Sequence, residues 1–98
     1  MAGSIISLEE GSTMTASFRS KFPNEKLASF YSSEVFLALL EQEGCVGIRI
    51  YNAVDQDNNL TDVLVGVDSE GNDLVNGIVY NKAGLCPPGC AINNPLNS

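Results

Sequence analysis

Three groups of residues have the types and spacing to do chemistry, and each has a stated demand that the rest of the chain must meet. The first is Cys86-Pro87-Pro88-Gly89-Cys90. Pro88 and Gly89 suit the central positions of a type II turn, which would bring the two sulfurs together as a disulfide or as a pair of free thiols. A thioredoxin-type redox centre has two residues between its cysteines and a helix start to lower the thiol pKa; this motif has three and no such helix. Zinc needs four ligands, but Cys45 is the only other thiol and the chain has no histidine. The pair Cys86/Cys90 is therefore expected to make a structural turn.

The second group, Asp55-x-Asp57-x-Asn59, opens like a calcium loop. Leu60 then stands where such a loop needs glycine, and Gly66 where it needs a bidentate glutamate. An acidic turn is the expectation. The third group is the remaining carboxylates, which fall in predicted turns or at helix ends, where water solvates them. Without histidine, Ser-His-Asp and Cys-His catalysis are excluded within one chain. No glycine-rich phosphate loop follows a strand. The sequence thus predicts no enzyme, no catalytic residue, no cofactor, no metal and no small-molecule ligand.

The elements that would position these residues follow from local pattern. Ser7-Leu8-Glu9-Glu10 fits a capping box. Leu8, Gly11, Thr15, Phe18 and Phe22 continue from it at helical spacing, and Pro23 ends the run. Asn24 can cap a short helical stretch over Glu25–Tyr31. Ser32 or Ser33 can cap a stronger helix over Glu34–Glu43, with Val35, Phe36, Leu39 and Leu40 on one face and Gly44 as its left-handed stop. Residues 46–51, 60–68 and 73–80 read as three strands joined by the polar turns Asp55–Asn59 and Ser69–Asn72. In this reading Val46, Ile48, Ile50, Val63, Val65 and Val67 face the helices. Arg49, Tyr51, Asp62 and Leu64 are left without cover.

The expected fold is α+β: N-terminal helices on one face of a three-stranded antiparallel meander, with an N-terminal arm over 1–6 and an irregular tail over 81–98. Ninety-eight residues fit one domain, 1–98. A chain of this size buries only about two-thirds of its unfolded surface.

The net charge of −7 is unevenly placed. Glu9, Glu10 and Glu25 balance Arg19, Lys21 and Lys26 in the first third, so the excess lies beyond residue 31. With no basic stripe, the chain is a poor partner for phosphate backbones, which argues against nucleic acid. No apolar run reaches transmembrane length. MAGSIISLEE lacks the basic region and long apolar core of a Sec signal, so the expected compartment is the cytoplasm, with reduced thiols.

Several segments taken together are similar to a known pattern: Glu34-Val35-Phe36 through Leu40, Gly44-Cys45-Val46-Gly47-Ile48-Arg49-Ile50-Tyr51, Leu64-Val65-Gly66-Val67-Asp68, Gly71-Asn72-Asp73-Leu74, and Cys86-Pro87-Pro88-Gly89-Cys90 with Asn94-Pro95-Leu96-Asn97. The combination resembles a family of small uncharacterised bacterial proteins that share this helix, this hairpin and a CPPxC…NPL ending. It covers about residues 32–97, implies a standalone domain, and brings no activity with it.

The functional expectation is a structural protein that self-associates, as a homo-oligomer or filament, through the sheet face, its edges and the tails. Arg49, Tyr51, Asp62 and Leu64 are the candidate interface. Arg19, Lys21 and Lys26 could meet the acidic turns of a second copy. The alternative is a small binding or thiol-redox accessory module built on Cys86/Cys90 or the acidic loop.

Overall fold

A computed structural model describes residues 2–98; Met1, the first residue of the expected arm, lies outside the described residues. The element order is α1 (Leu8–Lys21), β1 (Ala28–Phe30), α2 (Ser33–Leu40), β2 (Cys45–Val54), β3 (Leu60–Asp68), β4 (Val79–Tyr80) and β5 (Gly84–Cys86). The fold is α+β, with β2-β3-β4 as an antiparallel meander and β1-β5 as a separate two-stranded sheet. The contacts divide the chain into two compact units, one formed by the chain up to Ala28 with Leu85–Ser98, the other by Ser29–Gly84.

In the first unit, α1 begins with the capping box that its sequence encodes. Ser7 Oγ accepts from the Glu10 amide at 3.0 Å, and the Ser7 amide donates back to Glu10 Oε1 at 3.4 Å. Glu9 and Glu10 lie in the first turn and Arg19 and Lys21 in the last, each complementing the helix dipole. Phe22 caps the end, before Pro23. None of the helix's residues is buried. The segment after Pro23 departs from the expected helix over Glu25–Tyr31, because Ala28–Phe30 is the strand β1. The Leu27 amide donates to the Cys86 carbonyl at 2.6 Å, so a long-range ladder claims backbone groups that a short, costly helical nucleus would need. The tail is accordingly not irregular throughout, since Gly84–Cys86 forms β5.

In the second unit, α2 ends at Leu40 rather than Glu43, with Glu41 as its C-cap. Ser32 is the N-cap, extended at φ −66° and ψ 160°, and its hydroxyl makes no capping bond. Gly44 takes the expected left-handed backbone, at φ +77°, but it lies three residues past the cap at Glu41 and so does not end the helix. The hairpin turns share one device. Asp55 Oδ1 accepts from the amides of Asp57 and Asn59 at 2.9 Å, and Asp68 Oδ1 accepts from Glu70 at 2.9 Å and Asn72 at 3.0 Å. Asn58 and Gly71 supply the left-handed backbone in each turn, at φ +65° and +84°.

The register corrects the expected faces. Ile48 lies opposite Gly66, Ile50 opposite Leu64, Arg49 opposite Val65 and Tyr51 opposite Val63. Opposed residues share a face. Hence Ile48, Ile50, Asp62, Leu64 and Gly66 form one side of the sheet, and Arg49, Tyr51, Val63, Val65 and Val67 the other. Helix α2 contacts β2 and β3. Leu39 on it and Leu64 on β3 are both wholly buried. Leu64, expected without cover, is thus core.

The third strand is also shorter than expected. Only Val79–Tyr80 pairs as β4, with one isolated bridge between Val67 and Asp73. Between them the chain leaves the ladder, and the Ile78 amide donates instead to Gln42 Oε1 at 2.9 Å. Gln42 Nε2 donates to the Leu39 carbonyl at 2.9 Å, tying this excursion to the end of α2.

Candidate functional site

The thiol motif of the first unit closes as a disulfide between Cys86 and Cys90, with the two Cα atoms 4.7 Å apart. The expected type II turn is not formed, because Gly89 does not take a positive φ. The Gly89 amide donates to the Leu85 carbonyl and the Cys90 amide to the Pro88 carbonyl, both at 2.9 Å. Lys26 Nζ donates to the Pro87 carbonyl at 2.6 Å, and Arg19 donates to the Leu96 carbonyl at 2.8 Å and to Ser98. Two of the three cations assigned to a partner's acidic turns are therefore engaged with this chain's own tail. Lys21 is exposed.

Arg49 and Tyr51 stand on β2, yet both reach Asp73, which is bridged to the far flank of β3. Arg49 also donates to the Gly71 carbonyl at 3.2 Å. By the register both Arg49 and Tyr51 share a face of the sheet with Val65, which is only 4% exposed. Hydrogen bonding by Tyr51, then by Arg49, holds the Asp73 carboxyl below its ordinary range, and Asp73 raises the Tyr51 phenol and the Arg49 guanidinium in return. The side chains of Arg49 and Asp73 are 42% and 17% exposed, so water screens the pair.

On the opposite face, Tyr31 donates its hydroxyl to Asp62 Oδ1 at 2.5 Å and to the Asp62 carbonyl at 3.1 Å. Burial, then the bond to Asp62, raises the Tyr31 phenol well above its usual range. The rings of Tyr31 and Phe36 meet edge to face, 6.5 Å between centroids and 82° between planes. Ser29, Phe30, Tyr31, Phe36, Ile50, Asp62 and Leu64 line a cavity of about 230 Å³ there. Phe30, Tyr31 and Phe36 are not legible as a group in the sequence, where the first two fall in the expected helix over Glu25–Tyr31. Asp62, Leu64, Arg49 and Tyr51, expected as one patch, lie two on each face by the register.

The edge of the meander is the remaining feature. β2 is the terminal strand of its sheet and ten residues long. Val46, Ile50, Tyr51 and Val54 along it are 65%, 57%, 47% and 60% exposed. Among the described residues no three acidic or cysteine side chains group as metal ligands, and no helix is long and apolar enough to cross a membrane.

Compared with known proteins, the chain matches no family model, no curated protein and no solved structure.

Proposed function

We propose that this protein is a structural subunit that self-associates, and that a second copy adds along β2. The observation that carries the reading is the state of this edge. Natural edge strands are short, or are guarded by proline, inward charges, lysine or bulges. β2 has ten residues and no proline; its only charge, Arg49, is folded over the face toward Asp73. Its bulge lies at one end, between Cys45 and Gly47, which leaves Gly47–Val54 regular. Two such strands related by a two-fold axis satisfy each other's free amides and carbonyls and bury the exposed valines. The thin apolar core agrees, since Leu39, Leu64, Val65 and Cys86 are its only buried hydrophobic residues among those described. Resemblance to small bacterial standalone domains fits a subunit of this kind.

Light scattering at micromolar concentration should give a mass at least twice that of one chain. Replacing Asn52 and Val54 with lysine puts like charges across the edge and should return it to the monomer with the amide spectrum of the fold retained. A wild-type monomer at low and high salt would remove the reading.

A second reading, a thiol-redox accessory module, draws on the Cys86–Cys90 disulfide. It also bears on the compartment. Disulfides persist in oxidising surroundings, whereas cytoplasmic thiols stay reduced. A cytoplasmic setting therefore predicts that alkylation of freshly lysed cells traps Cys86 and Cys90 as thiols. A Cys86–Cys90 disulfide that does not exchange with a dithiol reagent would end the redox reading.

A further inference from the structure

We infer that the cavity bounded by Phe30, Tyr31, Phe36, Ile50, Asp62 and Leu64 is a binding site for a small alkylammonium ion. Its walls are the case for this chemistry. Three aromatic rings line it, and two of them, Tyr31 and Phe36, stand at 82° to one another. Perpendicular rings form adjacent walls of a cage, and cations are attracted to ring faces. Tyr31 donates its hydroxyl to a carboxylate, which shifts electron density into its ring and strengthens that attraction.

Asp62 is the only charged residue of the lining. Its Oδ1 is taken by Tyr31, and its Oδ2 accepts no hydrogen bond among the described residues. A neutral apolar guest would strip water from that oxygen and return nothing for it. A guanidinium prefers both oxygens of a carboxylate, and one is occupied. A metal ion would need further oxygen ligands that the cavity does not supply. An ammonium with alkyl substituents meets all the walls at once: point charge to Oδ2, methyl or methylene groups to the rings, Ile50 and Leu64. Its volume of about 230 Å³ lies below the range of about 300–1,000 Å³ usual for larger ligands, which limits the guest to a headgroup-sized ion. Arg49, the cation nearest to the cavity in sequence, points to the other face of the sheet. The net charge of −7 further favours a cationic guest over an anionic one.

The test is titration of the full chain with choline, and with 3,3-dimethylbutan-1-ol, which has the same shape but carbon in place of the charged nitrogen. Amide and aromatic shifts of Phe30, Tyr31, Phe36 and Leu64 should move with choline, with a Kd in the millimolar range. The neutral alcohol should bind at least about tenfold more weakly. D62N keeps an acceptor for the Tyr31 hydroxyl while removing the charge, and should cost about tenfold in choline affinity. F30L alters a residue that is 68% exposed, so the fold survives the change, and it should weaken choline binding several-fold. Equal binding of choline and the alcohol would overturn the inference. So would an unmoved spectrum up to high millimolar choline, or full affinity in both D62N and F30L.

Discussion

Tyr31 shows how one side chain ties local sequence to a pH-dependent property. In the folded chain its phenol is held protonated by burial and by donation to Asp62. A group whose folded pKa is raised contributes stability that is fully present below its unfolded pKa and is lost as pH rises beyond it. For a tyrosine the unfolded value is near 10.0. Thermal or urea stability should therefore fall as pH climbs above about 10, and Y31F should flatten that fall while leaving the profile near neutrality unchanged. An identical alkaline fall in wild type and Y31F would show that the phenol has no part in it. Asp73 works in the other direction: bonded by Tyr51 and Arg49, its depressed pKa contributes stability that is lost in acid. Neither pairing was legible in the sequence. Thirty-one residues separate Tyr31 from Asp62 and twenty-two separate Tyr51 from Asp73, and no periodic pattern links them.

At the scale of elements, Gly66 is the position where helix, hairpin and excursion meet. A Cβ there would lie 2.8 Å from Gln42 Nε2, 2.9 Å from Cys45 Sγ and 3.2 Å from Leu74 Cδ1. These come from the end of α2, the start of β2 and the segment after β3, so no single neighbour can yield alone. G66A should cost about 1–3 kcal/mol in urea unfolding. G47A is the control, since its Cβ meets nothing within 4 Å, and its cost should be well below that of G66A. Equal losses would mean that backbone freedom, not the close approach, decides the site. Much at this scale was legible. The capping box, the stop at Pro23, the left-handed Gly44 and the two polar turns are all local signals, and each appears where the sequence puts it. The face assignment failed for a readable reason. The turn from Asp55 to Asn59 holds an odd number of residues between paired Val54 and Leu60, so even positions oppose even ones. Ile48 and Ile50 therefore could not share a side with Val63 and Val65.

For the whole molecule, the division into two units predicts two levels of response. The disulfide, Lys26–Pro87 and Leu27–Cys86 all lie within the first unit. Opening a short disulfide loop costs about 2 kcal/mol of chain entropy. Reduction with a dithiol should speed hydrogen exchange at the Leu27 amide by tenfold or more, while amides of the β2-β3 ladder keep their protection. Uniform loss of protection would mean that the chain opens as one cooperative body. The self-association reading belongs to this scale as well. A single-chain edge of ten residues is a property of topology, visible only once β2 is known to be terminal in its sheet.

The sequence by itself determined what depends on neighbours a few residues away: caps, turns, stops, the α+β class and the absence of histidine chemistry. Local backbone bonding and composition carry that information. Only the tertiary structure decided that Cys86 and Cys90 are joined, that Ala28–Phe30 is a strand and that Gln42 replaces part of a ladder. It also decided that three aromatic rings and Asp62 share one cavity. Those outcomes turn on pairings between distant segments, where a long-range hydrogen bond outcompetes local propensity and register sets which side chains meet.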